Sequence, residues 1–213
     1  NLGKTQDAEE SLRKAQAIID RMLSASPRNS NALLASATIA EGLMILADSS
    51  RRDSQAALAH GRKGAGSIDA LLTTGKLSDS QRETAARILF NVALMHKNQD
   101  LFAESARYSR KASEIITDTP NGNLTAADGL SVMADSLRLS GDLEAAYDAI
   151  RQARARLDRV TEGSSVWATR FNILWREGLI LGGQGGLNLN RTADALASFE
   201  KAWHLVEQAA QQD

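Results

Sequence analysis

The 213-residue chain contains no cysteine, which excludes disulfides, thiolate catalysis and cysteine-ligated zinc and leaves the redox compartment open. Proline occurs only at Pro27 and Pro120, and aromatic residues make up 4% of the chain. With so few rings, the interior has to be filled by Leu, Ile, Val and Ala, within a hydrophobic content of 43%. Alternating or continuous β-branched runs are missing as well, so neither a β-sandwich nor a doubly wound sheet fits. No charge of either sign predominates: 25 Lys and Arg stand against 26 Asp and Glu, for a net charge of -1. A balance of that kind gives no broad attraction to nucleic acid or to an anionic membrane, and no nucleic-acid partner is expected. No run of about 18 consecutive apolar residues occurs, so no transmembrane segment is expected. The opening NLGKTQDAEES lacks the apolar core of a signal peptide. It also lacks an initiating Met, from which we expect a piece of a longer, cytoplasmic protein.

What is present is a recurring four-residue phrase. It reads L-R-K-A from Leu12, G-R-K-G from Gly61, S-R-K-A from Ser109, I-R-Q-A from Ile150 and F-E-K-A from Phe199, at intervals of 49, 48, 41 and 49 residues. Each copy ends in a small residue and lies in a segment of helical periodicity. Stacked helical pairs produce such a pattern, because each unit repeats the place where one helix crosses the next.

The periodicity and the breaks between segments predict about nine helices, over residues of about 5–25, 30–47, 54–72, 79–97, 100–117, 125–139, 142–160, 164–181 and 191–210. Ser26-Pro27 ends the first, and Ser140-Gly141-Asp142 is short enough to force an antiparallel hairpin. The run Thr117–Gly122 reads as a turn, with Thr125 as the cap of the helix after it. A longer loop, glycine-rich over 182–186, precedes the last helix, with Asn190 or Thr192 as its cap. Gly61, Gly64 and Gly66 in the third segment weaken a helix, and close crossing against a neighbour explains them. A phosphate loop does not, since Lys63 precedes Gly64 where the motif needs lysine after the last glycine. The first helix lacks an upstream partner.

Candidates for chemistry are few. His60, His96 and His204 match no metal-binding spacing and read as ordinary partly buried or surface histidines. The helical pairs Glu9 with Arg13, Asp100 with Glu104 and Glu200 with His204 read as solvated faces. Trp203 reads as structural, shielding the terminal hairpin. Trp175 reads as core or as a partner anchor. No catalytic, metal or cofactor site is expected, and neither is any cofactor.

Residues 127–160 resemble the tetratricopeptide repeat. Leu130, Met133, Ala134 and Leu137 sit in a first helix, Gly141 at the turn, and Ala146, Ile150 and Ala153 in a second. The other copies are less regular, and their periods exceed the usual 34 residues of that family. The long period, the R-K-A phrases and the alanine content also look like the repeat region that follows the kinase domain in some bacterial serine/threonine kinases. The resemblance implies an all-α, right-handed superhelical solenoid of antiparallel helix pairs, forming a single domain over residues 1–213. It implies a groove lined by first helices, and the matching positions are Arg87, Asn91, Leu94, Asp128, Ser131, Asp135, Arg138, Asn172, Trp175 and Leu179. Arg87 and Asn91 would hold a carboxylate or carbonyl, while Asp128 and Asp135 would favour a basic segment. The function expected is a noncatalytic protein- or peptide-binding scaffold, regulatory or recruiting for an attached bacterial kinase. Two alternatives are a small-molecule-sensing domain with a closed apolar pocket near 182–186, and a self-association module using an end of the solenoid.

Overall fold

The computed structural model describes residues 2–51, 53–160, 164–184 and 186–211; Gly185, inside the glycine-rich insert, lies outside them. Among the described residues there are nine helices and no strand: α1 (Leu2–Ala25), α2 (Ser30–Arg51), α3 (Ser54–Leu72), α4 (Asp79–Asn98), α5 (Phe102–Ile115), α6 (Pro120–Ser140), α7 (Leu143–Leu157), α8 (Ser164–Leu181) and α9 (Thr192–Ala210). The all-α stack expected from the periodicity is observed.

Side chains at the helix starts explain most of the borders. Asp53 accepts the Ala56 N–H at 2.9 Å at the start of α3. At the start of α4, Ser78 accepts from Gln81 N at 3.3 Å, and the Gln81 side chain accepts from Ser78 N at 3.0 Å. Such a reciprocal box satisfies two of the donors that a helix start leaves without partners. Asp142 caps α7 by accepting the Ala145 N–H alone, at 3.3 Å, and Gly141, at φ +91°, closes the α6–α7 hairpin in the left-handed region.

The start of α6 and the cap of α9 differ from expectation, and α2 runs on to Arg51 rather than ending near residue 47. Helix α6 begins at Pro120, capped by the Thr119 hydroxyl, which accepts from Gly122 N at 3.0 Å. Proline at the first helical position loses no hydrogen bond, so the segment that reads as a turn is the first turn of a helix, and Thr125 lies inside it. Helix α9 begins after Arg191, which makes no side-chain cap. The preceding loop is organised instead by Asn188, whose amide donates to the Gly183 and Gly186 carbonyls and whose Oδ1 accepts from Asn190 N.

Consecutive helices pack on one another, and every even helix from α4 onward also touches the even helix before it. The odd helices make no comparable contact with each other. Each phrase falls on an odd helix. Its outer two positions face inward, as Gly61, Gly64, Ser109, Ala112, Ile150, Ala153 and Ala202 show, while its central residues point outward. A Cβ at Gly61 would lie 3.1 Å from Met44 Sδ, and one at Gly64 would lie 3.4 Å from Ala40 Cβ. These two glycines therefore allow α3 to cross α2 closely. Gly66 is exposed with nothing near it, so crossing does not account for it.

The core divides into two apolar clusters, one over α2–α5 and one over α5–α8, which meet at α5 through Ala112 and Ala106. Full burial of Leu71, Ile88 or Leu89 contributes about 1.5–3 kcal/mol each. Ser30–Ser49 within α2 is long and apolar enough to cross a membrane by length and composition alone; half of that window is buried, and α2 packs on α1, α3 and α4.

Candidate functional site: the row of even helices

The α2–α4 junction is built around Glu41, which is 5% exposed. A carboxylate in that position requires partners, and α4 supplies them from positions one turn apart. Arg87 donates from both terminal nitrogens to Oε1 and Oε2 at 2.5 and 3.0 Å, and Asn91 Nδ2 donates to Oε1 at 2.5 Å. The carboxylate that Arg87 and Asn91 hold is thus an internal one. The Arg87 side chain is still 48% exposed.

At the α4–α6 junction, Asp135 is enclosed by two cations. Lys97 Nζ lies 2.7 Å from Oδ2, and Arg138 donates to Oδ1 at 3.0 and 3.2 Å. Burial of the Asp135 carboxyl pushes its pKa up, but the Lys97 ammonium and the Arg138 guanidinium more than reverse this and hold it below the usual range. Here the structure corrects an expectation. Asp135 is not offered to a basic partner, because Lys97 and Arg138 already occupy it. Beside this pair the Phe90 ring lies against Gly129, where a Cβ would fall 1.8 Å from the ring. That contact brings α4 and α6 together and is not visible as a sequence motif.

The α6–α8 junction joins Ser131, fully buried, to Arg176, which donates to its hydroxyl. Burial lowers the pKa of Arg176, and the nearby charges of Asp135 and Asp128 oppose the shift. Asp128 is open to solvent on α6 but stands among the walls of the neighbouring helices. That crowding raises its pKa, and a hydrogen bond from Thr169 and the charge of Arg176 only partly offset it.

The ten expected groove positions therefore separate into groups. Arg87 and Asn91 meet at Glu41, Asp135 and Arg138 meet beside Lys97, and Ser131 and Asp128 meet α8. Leu94 and Asn172 are exposed. Leu179 packs toward Gly183 near the insert. Trp175 stands apart from the junction residues, against Phe171 at 6.1 Å and edge-on to Phe199 at 5.1 Å between ring centroids. It lines an open depression of about 630 Å³ shared by α8 and α9, whose lining includes no residue of 182–186. Trp203 lines the same depression and is 62% exposed, so it shields nothing. The last helix has no covering neighbour there, and its inward-looking pattern faces solvent.

Among the described residues no group of three or more His, Cys, Asp and Glu is placed to hold a metal ion. His96 is buried, bonded through Nδ1 to the Val92 carbonyl at 2.8 Å, with its ring 5.0 Å from that of Tyr108. Burial lowers its pKa. His204 pairs with Glu207 at 3.1 Å rather than with Glu200. Glu9 and Arg13 form the expected pair at 2.8 Å, but Glu9 is buried, so only Arg13 stands on a solvated face. No protein-family model matches the chain, and comparison with the curated proteins gives no match.

Proposed function

We propose that the chain is a noncatalytic protein- or peptide-binding scaffold whose binding surface is the row α2, α4, α6 and α8. Its setting in this reading is the cytoplasm, where it recruits partners to, or regulates, an attached bacterial serine/threonine kinase. The observation that carries the reading is the close packing of the even helices on one another, whereas among the described residues successive odd helices meet only through side-chain ends such as Lys63 with Asp20 and Lys111 with Asp69. A stack drawn together along one row bends towards that row and offers it as a continuous strip across several helices. The right-handed superhelical sense and membership of the tetratricopeptide family belong to the same proposal.

Along the strip, the side chains left open to solvent are a mixed set: the outer edge of Arg87, then Leu94, Asp128 and Asn172. An extended peptide uses such a set by placing an apolar side chain on Leu94, a carbonyl near Arg87 or Asn172, and a base or N–H near Asp128. Panning a displayed random-peptide library on the chain tests this. Micromolar ligands are expected, with Kd raised at least tenfold in Leu94→Glu and in Asp128→Lys while helicity is unchanged. Ligands bound equally well by both variants would contradict the assignment of the surface.

A further inference from the structure

The stacking pattern defines a seat for a helix at the C-terminal end. Helix α4 packs on both α2 and α3, α6 on α4 and α5, and α8 on α6 and α7. Among the described residues no helix packs on the corresponding face of α8 and α9. It carries Phe171, Trp175, Leu196, Phe199, Trp203 and Val206 around the depression. Trp175 is 48% exposed, Leu196 58%, Trp203 62% and Val206 38%.

We infer that this face binds a second copy of the chain, so that the protein pairs end to end about a two-fold axis. The chain itself carries a helix that suits the seat. On α9 the apolar residues Leu196, Phe199, Trp203 and Val206 follow one another at spacings of three, four and three, the period of a helix–helix seam. Seat and seam lie on one face, as a self-complementary contact requires, and α8 and α9 of two copies complete a four-helix bundle. Glu200 and His204 line the depression beside the apolar residues, and Lys201 and Glu207 lie next to them on α9, so carboxylates and a lysine alternate there and no single-sign field opposes the approach of an identical surface. With roughly 150–250 Å² for each aromatic side chain, these exposures leave about 400 Å² of apolar surface per copy. A two-fold contact that includes the polar rim then covers about 1,200 Å², the lower range of stable interfaces. The opposite end of the stack is a poorer match. There α1 has no aromatic residue and exposes Ile18 and Met22 among Lys14, Asp20 and Arg21, and a head-to-tail contact would not close.

Sedimentation equilibrium from about 1 to 100 µM, within the range of ordinary interface affinities, tests the inference. The mass is expected to rise to twice 22.9 kDa and stop. Trp203→Glu and, as a second variant, Leu196→Glu are expected to weaken association at least tenfold with helicity and melting unchanged. Ile45→Glu, at a residue 49% exposed on α2 in the other half of the stack, is expected to leave it intact. Monomer at every concentration, association indifferent to Trp203→Glu and Leu196→Glu, or masses that grow past the dimer would each overturn the inference. The end face and the even-row strip use different residues, so peptide binding retained in a monomeric Trp203→Glu separates the two readings.

Discussion

The two rows of helices are tied together by the same chemistry used at different depths. On the odd row, the lysines at the third position of two phrases reach back to the preceding odd helix. Lys63 lies 3.6 Å from Asp20, and Lys111 contacts Asp69. These pairs stand largely in solvent and are worth from nothing to about 1 kcal/mol. On the even row, Lys97 and Asp135 are 18% and 11% exposed at their side chains, with Arg138 closing the other side. A pair at that depth holds little net stability against an apolar substitute, yet breaking it leaves charge without a partner. The difference shows that the repeated phrase sets how the helices pack, whereas the even row carries groups that specify how successive pairs meet.

Removing one charge from each row tests this contrast most strongly. Asp135→Ala leaves both Lys97 and Arg138 without their acid and is expected to cost about 3 kcal/mol in urea unfolding. Lys111→Ala is expected to cost under about 0.5 kcal/mol, and that small loss should fade in salt. Equal costs would erase the distinction. Glycines give the next contrast. Gly129→Ala drives a methyl into the Phe90 ring and is expected to destabilise by about 2 kcal/mol. Gly66→Ala meets nothing and should stabilise by up to about 1 kcal/mol. The smallest effect concerns His96, buried between the rows against Tyr108. Its folded pKa lies below the ordinary 6.5, so the unfolded chain binds the proton first. Stability should therefore be full above about pH 6.5 and slope downward as pH drops below it. Repeating the pH series on His96→Phe should flatten that slope, and an unchanged slope would place its origin elsewhere.

Much of the helical framework was legible, because periodicity, caps and the phrase are local signals. Ser78, Asp142 and Gly141 announce borders by chemistry that acts over three or four residues. Pro120 misleads for the same reason, since a proline opens a turn and a helix alike until the cap at Thr119 is seen. The even-row junctions were not legible. Glu41 meets Arg87 across 46 residues and Phe90 covers Gly129 across the α4–α6 contact, and no spacing rule encodes either. The resemblance assigns Arg87 and Asn91 to a partner's carboxylate or carbonyl, whereas the carboxylate they hold in the structure is that of Glu41 on α2. Trp203 shows the remaining gap: read from the sequence as a shield of the terminal hairpin, it is 62% exposed, and only the stack reveals that nothing among the described residues covers it.

In the proposed scaffold, partners bind along the even helices while the odd helices support them. Methyl NMR titration with a peptide selected from the library tests it most directly. Shifts are expected at Leu94 on α4, with Leu58 on α3 and Leu143 on α7 unmoved. Shifts confined to the odd-helix methyls, or to Leu196 and Val206 at the end face, would contradict it.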